Sequence, residues 1–338
     1  MTARRTPLEA WVKAKIGLQA HQVLTPEALT GYQLEKLQAT LDYVKRHSPF
    51  YRRLFAGYAT GSVQCLSDLS LWPMTTADDL REDPMAFLCV SQSMVERVVT
   101  LPVRRPAERP KRLFFSMADL ELAVDFFHHG FSVELAPGQR MLVLMPCRSP
   151  NSVGDLLAKG LARLSVTAVA HGPMQSPRET VAAVLRERID CLVGTPSDMA
   201  ALAGHPGALE IAPGQIRSIW LGTENTRRSL AGEIAHFWNC PVFQHYGAAE
   251  MCPGGGVQCE VRDGFHLREA DLFIEIVDNR TARPVQDGTI GEVVVTTLTR
   301  EAMPLVRYRT GHTAAIMTSP CPCGSSMRRM TAIRHGMF

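Results

Sequence analysis

Residues 190–222 read "DCLVGTPSDMAALAGHPGALEIAPGQIRSIWLG". The stretch opens on a continuous apolar run, "DCLVGT" (190–195), passes through a helical pattern, "PSDMAALA", and ends on a second apolar run, "IRSIWLG" (216–222). Apolar runs without alternation belong to strands covered on both faces. A helix between two of them makes the strands parallel. The same unit recurs outward. "RMLVLMP" (140–146) and "LSVTAVA" (164–170) are further apolar runs, and "SMADLELAVDFFHHGF", "SPRETVAAVLRER" and "NTRRSLAGEIAHFW" are further amphipathic helical patterns. Residues 111–250 are therefore expected to form a mostly parallel, buried α/β sheet.

On either side the pattern changes. Residues 1–110 read as largely helical. In "LTPEALTGYQLEKLQATLDYVKRHSPFYRRLF", Thr25 is a candidate N-cap and Pro26 the first helical residue. Leu34, Leu37, Leu41 and Val44 recur at helical spacing, and Pro49 breaks the run. "TTADDL" offers Thr75 or Thr76 as a second cap before two acids. Residues 251–330 read as β-rich. "LFIEIVD" (272–278) and "GEVVVTTL" (291–298) flank a turn-rich segment containing Asp287 and Gly288, which predicts an antiparallel hairpin. No internal repeat or low-complexity linker interrupts the chain.

The 338 residues are 46% hydrophobic and 20% charged, enough apolar material for a large core. A net charge of +3 is too small to argue for nucleic acid, and no partner of that kind is expected. No run of 18 apolar residues is present, and the first residues lack the apolar stretch of a signal peptide. A cytoplasmic protein without a membrane partner is the expectation. Its nine cysteines then read as reduced thiols, most of them in the core.

Four late residues form a separate group. Cys259 and His266 are separated by six residues, and Cys321 and Cys323 stand in "CPCG". Three sulfurs and one imidazole are the ligand set of a closed structural zinc site, because zinc accepts thiolates and imposes little geometry of its own. The spacing also allows two unrelated thiol pairs, or a redox pair at Cys321 and Cys323. Cys252 is near enough in sequence to act as a substitute ligand.

The stretch 246–312 carries more information. "YGAAE" is followed by "QCEVRDGFHLREADLFIEIVD", "GEVVVTTLTREAMPLVRYRTGH" and "CPCG". With "LDYVKRHSPFYRRLF", "DLSLWPMTTADDLRED" and "RPKRLFFSMADL" before it, this order resembles the phenylacetate–coenzyme A ligase branch of the adenylate-forming superfamily. The resemblance covers essentially the whole chain. It implies the large α/β N-terminal domain of that superfamily, in which a carboxylic acid and ATP give an acyl-adenylate and pyrophosphate. The acyl group then passes to coenzyme A. Some members of the branch carry zinc at the Cys259, His266, Cys321 and Cys323 position. The resemblance further implies that Tyr246 and Gly247 line the adenine pocket, that Gly222, Thr223 and Glu224 stand in the adenine-side loop, and that Glu250 holds magnesium. An acid pocket is expected from the "PCRSPNSVGD" loop and residues near 220–247, including Trp220, Phe243 and His245, with a core role for Trp220 and Phe243 equally open.

Several positions depart from the family pattern. Where the family has a glycine- and hydroxyl-rich phosphate loop, this chain has "VRRPAE". Pro106 has no N–H, no glycine is present to adopt positive φ, and Glu108 is acidic. Arg104 and Arg105 could supply charge as a clamp for phosphate or coenzyme A, but not a preformed cradle. The family's "YGxTE" is "YGAAE" here, so Ala248 and Ala249 offer no hydroxyl to a phosphate. His312 stands where an aspartate grips both ribose hydroxyls, and an imidazole cannot accept two bonds as a carboxylate does. The chain stops near the family's hinge, so the small C-terminal lid domain with its adenylation lysine is expected to be absent. The sequence thus reads as an AMP-dependent coenzyme A ligase-type protein acting on a small or aryl carboxylic acid. Its activity is expected to be impaired, or to need a partner supplying the missing domain. The alternative is a non-catalytic pseudoenzyme that keeps the fold to bind a ligand or a protein.

Overall fold

The computed structural model describes residues 5–103, 108–222, 228–331 and 333–335. The helical N-terminal part supplies α1 (Pro7–Lys15), α2 (Pro26–His47), α3 (Pro49–Leu54) and α4 (Ala77–Glu82). Thr25 caps α2, its hydroxyl accepting from the Ala28 N–H at 3.2 Å. Pro49 both ends α2 and starts α3, because Ser48 serves as C-cap of the first helix and N-cap of the second. Thr76 is the cap of α4, sharing a reciprocal capping box with Asp79. Thr75 is buried instead, hydrogen-bonded to Tyr51 and to the backbone of Val306.

A short antiparallel pair, β1 (Arg97–Thr100) and β2 (Arg112–Phe115), leads into α5 (Met117–Phe131). The expected alternation follows: β3 (Arg140–Val143), α6 (Val153–Arg163), β4 (Thr167–Ala170), α7 (Pro177–Arg186), β5 (Cys191–Gly194), α8 (Pro196–Ala203), β6 (Ser218–Leu221), α9 (Arg228–Trp238) and β7 (Val242–Tyr246). These strands lie parallel in the order β7-β6-β5-β3-β4. Beyond β7 the same sheet continues antiparallel through β8 (Gly256–Val257), β9 (Phe265–Leu267) and β13 (Arg329–Met330). A second sheet contains β10 (Leu272–Val277), β11 (Gly291–Thr297), β12 (Tyr308–Ala314) and β14 (Arg334–His335), all antiparallel. The expected hairpin is β10–β11.

The period-2 alternation of strand side chains sorts the parallel sheet into two cores. Leu142, Leu144, Leu192, Ile219, Leu221 and Val242 pack with α7, α8 and α9. Met141, Val143, Val193, Trp220 and Phe243 face α5 and α6, in a larger core that runs on into the N-terminal helices and the second sheet. On that side Trp220 stacks between Phe131 and Phe243, with centroids 4.3 and 4.7 Å away. Trp220 and Phe243 are thus core residues. No helix among the described residues is long and apolar enough to cross a membrane.

Candidate active site and metal cluster

The C-terminal ends of parallel strands are where open α/β sheets bind ligands. Strand β7 ends there on Tyr246, and the chain then folds back sharply. The Gly255 N–H donates to the Tyr246 carbonyl at 2.8 Å. A Cβ on Gly247 would lie 2.7 Å from the Gly254 nitrogen, so only glycine permits this approach. Glu250 follows in a short 3₁₀ turn. Arg300 fixes its backbone, donating to the Glu250 carbonyl at 3.0 Å and the Phe114 carbonyl at 2.9 Å while its guanidinium covers the Phe115 ring. The Glu250 loop is therefore tied to β2.

The Glu250 carboxylate is buried and engaged by two donors. The Tyr308 hydroxyl donates to Oε1 at 3.0 Å, and the Lys111 ammonium forms an ion pair with the same oxygen. Lys111 Nζ also donates to the Tyr308 hydroxyl at 3.1 Å. Burial opposes ionisation of Glu250, but the Lys111 charge and these hydrogen bonds outweigh it and hold the carboxyl below its ordinary range. Burial and the Glu250 charge push the Tyr308 phenol well up, so it remains a donor.

Strand β12 also carries His312, four residues beyond Tyr308. Its Nδ1 lies 3.2 Å from the Tyr246 hydroxyl. Burial, then the Glu250 charge, keeps the Tyr246 phenol protonated. The structure thus joins Tyr246, Gly247, Glu250 and His312 into one locality between β7 and β12. Gly222 directly follows β6, its N–H donating to the Gly194 carbonyl at 3.1 Å. Thr223, Glu224, Arg104 and Arg105 lie outside the described residues. His245 packs among the rings of Phe126, Phe131 and Trp220, and burial lowers its pKa to about 3, leaving a neutral imidazole.

Sequence reasoning overlooked Lys111, Tyr308 and Arg300. Lys111 and Glu250 are 139 residues apart, and no local periodicity links them. The signals were present as letters in "RPKR" and "RYRTG", but a Lys–Glu pair has no diagnostic spacing.

A second locality lies where β8, β9 and β13 meet. Cys259 follows β8, His266 sits in β9, and Cys321 and Cys323 precede β13. Their ligand atoms all fall within 4.8 Å of one another, and all four residues are buried. Cys259 Sγ is 3.7 Å from Cys321 Sγ, and Cys323 Sγ is 3.5 Å from His266 Nε2. Hydrogen bonds with Cys259 and His266 push the Cys323 thiol well down and favour its thiolate, although burial acts the other way. Two unrelated thiol pairs are excluded, because the four groups converge. Cys252 is not a substitute ligand, since its Sγ lies 2.8 Å from the Asp119 carbonyl. Three sulfurs and an imidazole in one buried cluster fit zinc.

Comparison with known proteins bears on the family and the fold. The family model for AMP-binding enzymes matches residues 109–299, more than half of the chain. The phenylacetate-coenzyme A ligase of Thermus thermophilus is 28% identical over 92% of this chain and 71% of its own length. That of Pseudomonas putida is 29% identical over 87% and 68%. Among solved structures, 2-hydroxyisobutyryl-CoA ligase in complex with 2-HIB-AMP and CoA superposes with a TM-score of 0.83 at 21% identity, over 93% of this chain and 71% of that one. The amide bond synthetase McbA from Marinactinospora thermotolerans gives 0.54 at 17% identity, over 71% and 49%. With the sheet order, the β7 loop and this match in hand, the chain belongs to the AMP-binding enzyme family, in its phenylacetate-coenzyme A ligase-like branch.

Proposed function

We propose that this protein is an acid–coenzyme A ligase-type adenylate-forming protein that binds ATP or AMP between β7 and β12. Its acid substrate is a small or aryl carboxylic acid. The observation that carries the reading is the convergence of Tyr246, Gly247, Glu250 and His312 at the C-terminal edge of the parallel sheet. In such a reaction an acid oxygen attacks the α-phosphorus, the bond to the leaving pyrophosphate breaks, and an acyl-adenylate forms. The coenzyme A thiol then attacks the acyl carbon, loses its proton, and AMP leaves. Charge builds on phosphate oxygens in the first step, so cationic donors at that place stabilise its transition state. Tyr246 and Gly247 would bound the base, and His312 would offer one ring nitrogen toward the ribose. Where described, the acid pocket's expected aromatic wall is packed core, so acid contacts would come from the "PCRSPNSVGD" loop and the rim near His245.

The zinc implied by the cluster would be held by Cys259, His266, Cys321 and Cys323. Bound there it would act as a cross-link between the β8–β9 turn and the segment before β13, away from the chemistry.

ATP–pyrophosphate exchange measured across a panel of aliphatic and aryl acids tests the proposal. Acid-dependent exchange supports it, and its absence with every acid points to a second reading. In that reading the fold is kept to bind a nucleotide or acyl ligand without turning it over. Ala248 and Ala249, which offer no hydroxyl, and His312, in place of a carboxylate, favour it. Calorimetric binding of AMP without exchange would establish it.

A further inference from the structure

Glu250 is the residue that family resemblance assigns to magnesium, and its surroundings do not fit that role. Magnesium needs near-ideal octahedral oxygen coordination and gives up its waters reluctantly. Here Oε1 already accepts from Tyr308 and pairs with the Lys111 ammonium. Carboxylate and ammonium cancel in charge, and both side chains are largely removed from water, at 8% and 17% exposure. A divalent ion on the same oxygen would have to expel the ammonium or share a partly dehydrated space with it.

We propose that Lys111 is the resident cation of this site: its ammonium, rather than a divalent metal, neutralises Glu250 and meets the phosphate of a bound nucleotide. The proposal rests on reading the locality as a nucleotide site. An ammonium has three N–H donors. Glu250 and Tyr308 take two of them, and the exposed fraction of the side chain leaves the third for a phosphate oxygen. The anchor is firm at both ends. The Lys111 carbonyl accepts from the Leu101 N–H at 2.9 Å, holding the residue beside β1, while Arg300 holds the Glu250 backbone to β2. Tyr308, itself fully buried, cannot move away and release the lysine without opening the core. The lysine is thus a positioned charge rather than a mobile surface group.

The test is calorimetric titration of ATP into the whole chain, once with EDTA and once with magnesium, for wild type, Lys111→Met and Lys111→Arg. Wild type and Lys111→Arg are expected to show dissociation constants that differ less than about threefold between the two conditions. Lys111→Met should weaken binding about tenfold or more in EDTA, as for loss of a charged hydrogen bond, and regain it with magnesium once Glu250 is free. Magnesium-dependent binding by wild type, with Lys111→Met unchanged from it, would overturn the assignment while leaving the nucleotide site intact. No ATP binding by wild type in either condition would overturn both. Circular dichroism checks that Lys111→Met is folded. Should it not be, the wild-type and Lys111→Arg titrations still decide.

Discussion

Two of the buried polar clusters in this molecule solve the problem of burial in opposite ways. At Cys259, His266, Cys321 and Cys323, three sulfurs and an imidazole converge, and none of the four side chains is a permanent cation. At Lys111, Glu250 and Tyr308 the protein supplies the cation itself. The thiols record the first situation. A hydrogen bond to Cys323 and burial push the Cys259 thiol far up, and Cys323 is driven the other way. Glu250 records the second, ionised despite its burial because Lys111 is beside it. The contrast teaches that burial alone does not mark a metal site. What marks it is a set of donors without an internal counter-charge.

The largest expected effect breaks the first cluster. Purified protein should carry about one zinc per chain by elemental analysis, and Cys321→Ser should lose it. Because structural zinc binding is folding free energy, removal should lower Tm on the order of ten degrees. Metal-free protein indifferent to chelator would contradict this.

Next comes the second cluster. Lys111→Met leaves a buried carboxylate uncompensated and should cost about 3–5 kcal/mol in urea denaturation. Adding Glu250→Gln should restore part of that loss, since the orphaned charge is then gone. A double variant less stable than the sum of both losses would show that the pair is not the relevant unit.

The buried pair of Arg307 and Glu275 sharpens the same comparison away from any ligand. Arg307 donates to both carboxylate oxygens at 3.1 Å and to the carbonyls of Ser70, Trp72 and Ala282. Arg307→Met should therefore destabilise by a similar ~3–5 kcal/mol without altering zinc content or ATP affinity.

Gly247→Ala drives a Cβ onto the Gly254 nitrogen, and the loop must shift by about an ångström or less. A cost of about 1–3 kcal/mol is expected, with weaker ATP binding because Glu250 moves with the loop.

The smallest effect is at neutral pH and grows on acidification. Burial lowers His245 from its ordinary 6.5 to about 3, so between these values the unfolded chain binds a proton that the folded chain does not. Its contribution to stability is complete above about pH 6.5 and is lost as pH falls toward 3, by at most about 1.4 kcal/mol per unit. His245→Phe should flatten that part of the stability–pH curve.

The parallel sheet was legible because continuous apolar runs and helical periodicity are local signals. "RMLVLMP" and "DCLVGT" contain β3 and β5, each strand shorter than its apolar run. The cluster of Cys259, His266, Cys321 and Cys323 was legible because cysteine and histidine are scarce and chemically specific. The extension of the parallel sheet by β8, β9 and β13 was not, since strands of two or three residues carry no period. Lys111 and Tyr308 were missed for a different reason. Their role depends on long-range pairing with Glu250, and lysine, tyrosine and glutamate each have a bland surface or core use that the letters cannot distinguish. Thr75 and Thr76 show the same limit at short range, where two identical neighbours took a core bond and a helix cap respectively.

The most direct test of the contrast is one crystal grown with ATP and manganese, with anomalous diffraction recorded at the zinc and manganese edges. The account predicts a zinc peak among Cys259, His266, Cys321 and Cys323, and no manganese peak at Glu250, where Lys111 Nζ remains seated against a phosphate oxygen. Manganese bonded to Glu250 with the lysine displaced would contradict it.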